Sequence, residues 1–213
     1  EASDDDAVWV SRLAAELSRT SGLRFDAING GVPGYTLADS IALLHGRVAP
    51  LEPDIIVVNQ VATDIAAHSR RQFGSLARHS ESASRPSAFL EEHSLLLNLL
   101  KVNSTPWTVR FLSPRRQDAL DGPGILQYEH QLVALVEECR RREWRVVLCT
   151  APRAFGDPAA PADQFELAAS SLANNPALTL AGLNDAFDRY NAAVRNVALR
   201  TGAPLIDLDR AVP

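Results

Sequence analysis

The chain has 213 residues, of which 46% are hydrophobic and 22% charged, with a net charge of −5 at pH 7. That length and balance fit one globular domain, alone or with a large insertion. The acidic balance weighs against nucleic acid as a partner, since phosphate contacts need a basic face, and no apolar run reaches the roughly 18 residues of a membrane-spanning helix.

In chain order, residues 7–20 predict a helix with Val8, Leu13 and Leu17 near one face and Asp4 to Asp6 as acidic capping residues. Leu23 to Ile28 reads as a short strand. The tightest run of glycine and proline follows, Asn29-Gly30-Gly31-Val32-Pro33-Gly34-Tyr35-Thr36. A Gly-rich turn before a helix lets a ligand reach the main chain and leaves amide N–H groups for an anion or oxyanion. A plain strand-to-helix turn has the same composition. A helix is expected over 37–48.

Pro53 to Asn59 is the clearest strand, because four consecutive β-branched residues suit a parallel strand buried on both faces. Residues 66–86 are Ser- and Arg-rich and read as a surface loop, 87–103 as a helix and 104–124 as irregular. An amphipathic helix is expected over 125–143, with Leu126, Leu132, Leu135, Val136 and Cys139 near one face. Arg145 to Cys149 is a second buried-type strand, and 150–178 a long loop with short helical pieces. A helix over 180–200 brings Leu183, Phe187, Tyr190, Val194 and Val197 into register. Ala203 to Leu208 is the last strand. This alternation predicts an α/β fold with a parallel sheet and helices on both faces.

Cys139 and Cys149 are expected to be free buried thiols, and the five histidines form no metal-ligand spacing, so neither a metal nor a cofactor is expected. His68 reads as a solvated loop residue. In open α/β sheets, ligands sit beyond the carboxyl ends of the strands. Those ends here are Asn29–Thr36, Gln60–Asp64, Thr150–Arg153 and Asp207–Asp209.

Together these blocks resemble the SGNH (GDSL-like) hydrolase family of esterases and lipases. Asn29 to Thr36 is similar to the family's second block, whose glycine N–H serves the oxyanion hole; Gly34 matches it. Pro53 to Val58, closing at Thr63-Asp64, is similar to the third block, Gly-x-Asn-Asp. Asn184 to Leu208 resembles the late helix and strand. The resemblance implies a three-layer α/β/α, flavodoxin-like fold and acyl-ester cleavage of a small-molecule or acylated substrate through a serine nucleophile. It implies an oxyanion hole of Gly34 and Thr63, with Asp64 bracing the turn. Tyr35, Gln60 and Arg153, at strand ends, are candidates to line the substrate pocket. No Gly-Asp-Ser is present, and no histidine follows His130. The expectation is therefore a single domain over 1–213, truncated at both ends, lacking the first, central strand and inactive alone. Thr63 stands where the family has asparagine. Losing one donor from such a hole costs about 2.7–4 kcal/mol of transition-state stabilisation, and a threonine hydroxyl is a shorter replacement. The competing reading is a non-catalytic domain of this fold that binds a carbohydrate or acylated ligand. A nucleotide binder is disfavoured, since the Gly-rich stretch lacks G-x-G-x-x-G spacing.

Overall fold

The computed structural model describes residues 9–78, 116–156 and 161–212. The chain separates into two compact bodies, Glu1–Tyr35 and Thr36–Pro213. In the first, helix α1 (Trp9–Ser21) buries none of its residues. Trp9, Leu13 and Leu17 lie exposed along it. Its acidic capping residues lie outside the described part.

The strand expected at Leu23–Ile28 is not formed; this segment is irregular, with Leu23 and Ile28 exposed. A strand exists only through a ladder with a neighbour. No such ladder is present there among the described residues.

In the second body, α2 (Leu37–Leu43) continues through a π-helical turn (Leu44–Val48) and a 3-10 turn (Ala49–Leu51). Thr36 caps it with a complete capping box: its hydroxyl accepts from the Asp39 N–H while the Asp39 carboxylate takes the Thr36 N–H at 2.9 Å. Strand β1 (Ile55–Val58) follows, then α3 (Ala62–Arg78). The surface loop expected from residue 66 is thus helix as far as Arg78. Its inner face, Ile65, Ala66, His68 and Ser69, is buried and half polar, which hides its helical period. The helix expected at 87–103 lies outside the described residues.

Helix α4 (Gly122–Arg141) starts three residues before the expected boundary. Gly122, Pro123 and Gly124 form its first turn instead of a loop, because Asp121 caps it and proline's missing N–H costs nothing there. Leu126 is exposed; Ile125, Tyr128, Leu132, Leu135, Val136 and Cys139 make the buried face. Strand β2 (Arg145–Cys149) precedes two short helices, α5 (Pro161–Leu167) and α6 (Ala169–Asn174). Helix α7 (Leu180–Thr201) buries Leu183, Phe187, Tyr190, Val194 and Val197, the register expected. Strand β3 is only Leu205–Ile206, and the chain turns into α8 (Leu208–Ala211).

The sheet is parallel, in the order β1-β2-β3. Ile55 pairs with Arg145, and Leu148 with Leu205. Helices α4 and α7 pack on each other and on β2, and α3 packs on α7. Fully buried Leu132, Val136, Leu148, Leu183, Val194 and Val197 form the centre of the core. The fold is α/β, as expected. β1 is not buried on both faces: Ile55 is 41% and Val57 37% exposed, and its outer edge carries no strand among the described residues. Both cysteines are free and buried, and burial raises both thiol pKa values, that of Cys139 to about 11.

Candidate functional site

The Gly-rich stretch owes its shape to two local rules. Asn29 Oδ1 accepts the Gly31 N–H at 3.0 Å, an Asx turn. The Tyr35 N–H then bonds the Val32 carbonyl at 3.1 Å, with Pro33 and Gly34 at the corner. Gly34 has φ +84°, which only glycine adopts without strain, and Pro-Gly is the residue pair of a type II turn. The Gly34 N–H takes no partner among the described residues. Gly34 and half-exposed Tyr35 belong to the first body; Gln60, Thr63 and Arg153 belong to the second.

Within the second body, the turn after β1 brings Gln60, Thr63 and Asp64 together. The Gln60 Nε2 donates to Thr63 Oγ1, and the Gln60 amide also acts on the Asp64 carboxylate, drawing its pKa down. Both Asp64 oxygens accept the Leu37 N–H, at 3.1 and 3.0 Å. Leu37 is the first residue of α2, so its N–H is one of the donors a helix cannot satisfy internally. Asp64 caps α2 from a distance of 27 residues in sequence. Burial, only partly offset by the Leu37 and Gln60 bonds, raises the Asp64 carboxyl pKa from 3.8 to about 6.

This shift has a signed consequence. The folded pKa lies above the unfolded one, so the contribution of Asp64 to stability is complete below pH 3.8 and is lost as pH rises through about 6. At about 1.36 kcal/mol per pH unit, the cost at neutral pH is of order 3 kcal/mol. Urea midpoints of wild type should fall relative to Asp64→Asn between pH 4 and pH 7. Parallel profiles for the two proteins would contradict the assignment.

Behind this turn lies a buried polar network that sequence reasoning missed. His68 on α3 is 3% exposed, not solvated. Its Nδ1 lies 3.0 Å from the Tyr190 hydroxyl, and its Nε2 lies 2.7 Å from Asp121 Oδ1. With a neutral imidazole, Nε2–H donates to Asp121 and Nδ1 accepts from Tyr190. The Tyr190 ring packs tilted against Tyr128, centroids 4.8 Å apart, and the Tyr128 hydroxyl donates to the Gln60 carbonyl. Burial, reinforced by the Asp64 charge, keeps both tyrosine hydroxyls protonated. The network ties α3, α4 and α7 to the turn that carries Thr63. The sequence signal was weak: one histidine four residues after Asp64, its partners 53 and 122 residues away.

Gly124 lets the network close. A Cβ there would lie 2.3 Å from the His68 ring. Gly124→Ala is expected to displace His68 and destabilise the chain by about 1–3 kcal/mol, read as a lowered urea midpoint. An unchanged midpoint would mean that the ring moves aside freely.

At the end of β2, Asn191 pairs with both backbone groups of Ala151, accepting its N–H at 2.9 Å and donating to its carbonyl at 3.0 Å. Arg153 is held against α7: Nη1 bonds the Asn184 carbonyl at 2.9 Å, Nη2 pairs with Asp188, and the guanidinium lies over the Phe187 ring. At the end of β3, Arg195 bonds both Asp207 oxygens, at 2.9 and 2.8 Å, and Asp209 at 2.6 Å. Thr150 Oγ1 donates to Asp207 and accepts the Asp209 N–H. Arg195, the dominant cause, holds the Asp207 carboxyl at a pKa of about 2. Among the described residues no group of three or more His, Cys, Asp or Glu is placed to hold a metal, and no helix is long and apolar enough to cross a membrane.

The chain matches no family model and no curated protein sequence. It is similar in structure to acetyl xylan esterases. The acetyl xylan esterase AlAXEase is 15% identical, with 95% of this chain and 69% of that one covered, at a TM-score of 0.52. Axe2, an acetylxylan esterase from Geobacillus stearothermophilus, is 14% identical, with 95% and 66% covered, also at 0.52. Its W-to-I variant is 16% identical, with 95% and 66% covered, at 0.51. Axe2 variants described as catalytic replace a serine, an aspartate or a histidine, the last two three positions apart in that protein. The chain spans 65–69% of the length of these structures. At such identities the likeness is one of fold: an α/β fold with a parallel sheet, shared with acetyl xylan esterases.

Proposed function

We propose that this chain is the larger part of an SGNH-type ester hydrolase and supplies its oxyanion hole. Thr63, in the second body, donates its hydroxyl to the oxyanion that develops when a serine attacks an acyl ester, and Gly34 is the further donor that the sequence resemblance implies. The observation that carries the reading is the state of these two donors. The Gly34 N–H and the Thr63 hydroxyl proton take no acceptor among the described residues, and both groups lie in turns beside the starts of helices.

The fold neighbours support an ester as the substrate, and an acetyl group on a carbohydrate is the first class to try. The serine nucleophile and histidine base are proposed to lie in residues flanking this chain, as one domain with it. The open outer edge of β1 supports a further strand there. Tyr35 and Arg153 are proposed to line the substrate pocket, with Arg153 fixed by α7. Asp64 and the His68 network act by holding the turns. No cofactor enters the chemistry.

The test is hydrolysis of p-nitrophenyl acetate by the full-length protein that contains this chain, with Ser→Ala at a flanking Gly-Asp-Ser as control. Serine-dependent turnover is expected, and none from the 213-residue chain alone. A full-length protein that binds acetylated xylo-oligosaccharide without cleaving it would select the binding-domain reading instead.

A further inference from the structure

We propose that Gln60 is a positioning residue: its side-chain amide, bonded to Thr63 Oγ1, holds the Thr63 hydroxyl as a hydrogen-bond donor towards the reacting ester. This rests on Thr63 being an oxyanion donor.

A hydroxyl has one proton, two acceptor directions and a free rotor. Left alone, it spends part of its time with the proton pointed away, and each such state lacks the donor. The Gln60 Nε2–H bond occupies one lone pair of Thr63 Oγ1, leaving the hydroxyl as donor on its remaining side. Among the described residues no acceptor takes that proton. Thr63 is half-buried, in the first turn of α3.

The Gln60 amide nitrogen, not its oxygen, faces Thr63 Oγ1, and the nearby Asp64 carboxylate favours that orientation, because an ionised carboxylate only accepts. The groups facing Asp64 are the Leu37 N–H and Gln60 amide, Arg71 on α3 and Asp39 on α2, and its charge is also felt by Tyr128 and Tyr190. The Gln60 backbone is held separately, through its carbonyl, by Tyr128. Removing the Gln60 side chain therefore leaves the turn tied to α4. An asparagine at position 63 has a fixed amide and needs no such partner; a threonine does.

The experiment is a double-mutant cycle on the full-length protein, using Gln60→Leu and Thr63→Val with p-nitrophenyl acetate. Gln60→Leu is expected to lower kcat about tenfold with KM within about twofold, the scale of a misdirected catalytic group. In the Thr63→Val background it should cost nothing further. Equal losses in both backgrounds, or none in either, would overturn the proposal while leaving Thr63 as a donor. A Thr63→Val protein as active as wild type would remove the Thr63 reading and this inference with it. Gln60→Met repeats the cycle if Gln60→Leu folds poorly. A readout independent of activity is the Asp64 carboxyl titration, followed by NMR in the full-length protein. Its midpoint should rise in either Gln60 variant, and an unmoved midpoint would show that the amide does not act on Asp64.

Discussion

Replacing Asn191 by aspartate is expected to destabilise the chain by about 3–5 kcal/mol at neutral pH, the scale of an uncompensated buried charge. Asn191 is fully buried and serves Ala151 with one acceptor and one donor. Aspartate has the same shape. One carboxylate oxygen keeps the Ala151 N–H, but the other faces the Ala151 carbonyl, where two acceptors repel. Against a typical total of about 5–15 kcal/mol, this is a large fraction. The loss has a pH signature. Burial raises the pKa of the new carboxyl, so the penalty is absent below its unfolded pKa and grows as pH rises through the folded one. A protonated carboxyl also restores a donor to the Ala151 carbonyl. Urea midpoints at pH 5 and pH 8 should therefore diverge from wild type mainly at pH 8. Asn191→Leu, which leaves both Ala151 groups unpaired, should lose stability by a similar amount at both values. An Asn191→Asp protein as stable as wild type at pH 8 would show that the loop after β2 is not held by this pair.

The second large effect concerns catalysis. Thr63→Val keeps the branched shape and removes only the hydroxyl. In the full-length protein, kcat for an acyl ester should fall by about 10²–10³-fold, the usual effect of deleting one oxyanion donor. KM should change little, because a ground-state ester carbonyl draws far less from the hole than the tetrahedral intermediate does. Thr63→Asn should retain activity or raise it, since its amide donates without depending on Gln60. A Thr63→Val protein within twofold of wild type would leave Thr63 a structural residue.

Much of this architecture was legible in the sequence, for identifiable reasons. Ile55 to Val58 and Val146 to Leu148 are aliphatic runs with no helical alternative, and both are strands. Leu183, Phe187, Tyr190, Val194 and Val197 repeat at helical spacing, and all are buried on one helix. The failures share a cause, which is structure decided by distant partners. Leu23 to Ile28 has the composition of a strand but no ladder. Helix α3 reads as a loop because His68 and Ser69 occupy its buried face, and His68 is accommodated only through Tyr190 and Asp121. Gly122-Pro123-Gly124 reads as punctuation, yet with Asp121 before it this run starts a helix.

The site divides in the same way. The Pro33-Gly34 turn follows from local residue chemistry, and its φ of +84° needed only the glycine. The Gln60–Thr63 bond is also local, but nothing in the spacing says that glutamine will turn its amide onto the threonine. The bond from Asp64 to Leu37 depends on how β1 brings two helix starts together. Local rules thus shape the turns of the candidate site, and tertiary contacts decide what their residues bond.

The most direct measurement of the central claim is the identification of the acylated residue. The full-length protein is mixed with p-nitrophenyl acetate, quenched in acid and mapped by peptide mass spectrometry. A transient acetyl group is expected on a serine outside residues 1–213, forming more slowly in Thr63→Val. An acetyl group on a residue of this chain, or turnover with no acyl-enzyme and no effect of Thr63→Val, would contradict it.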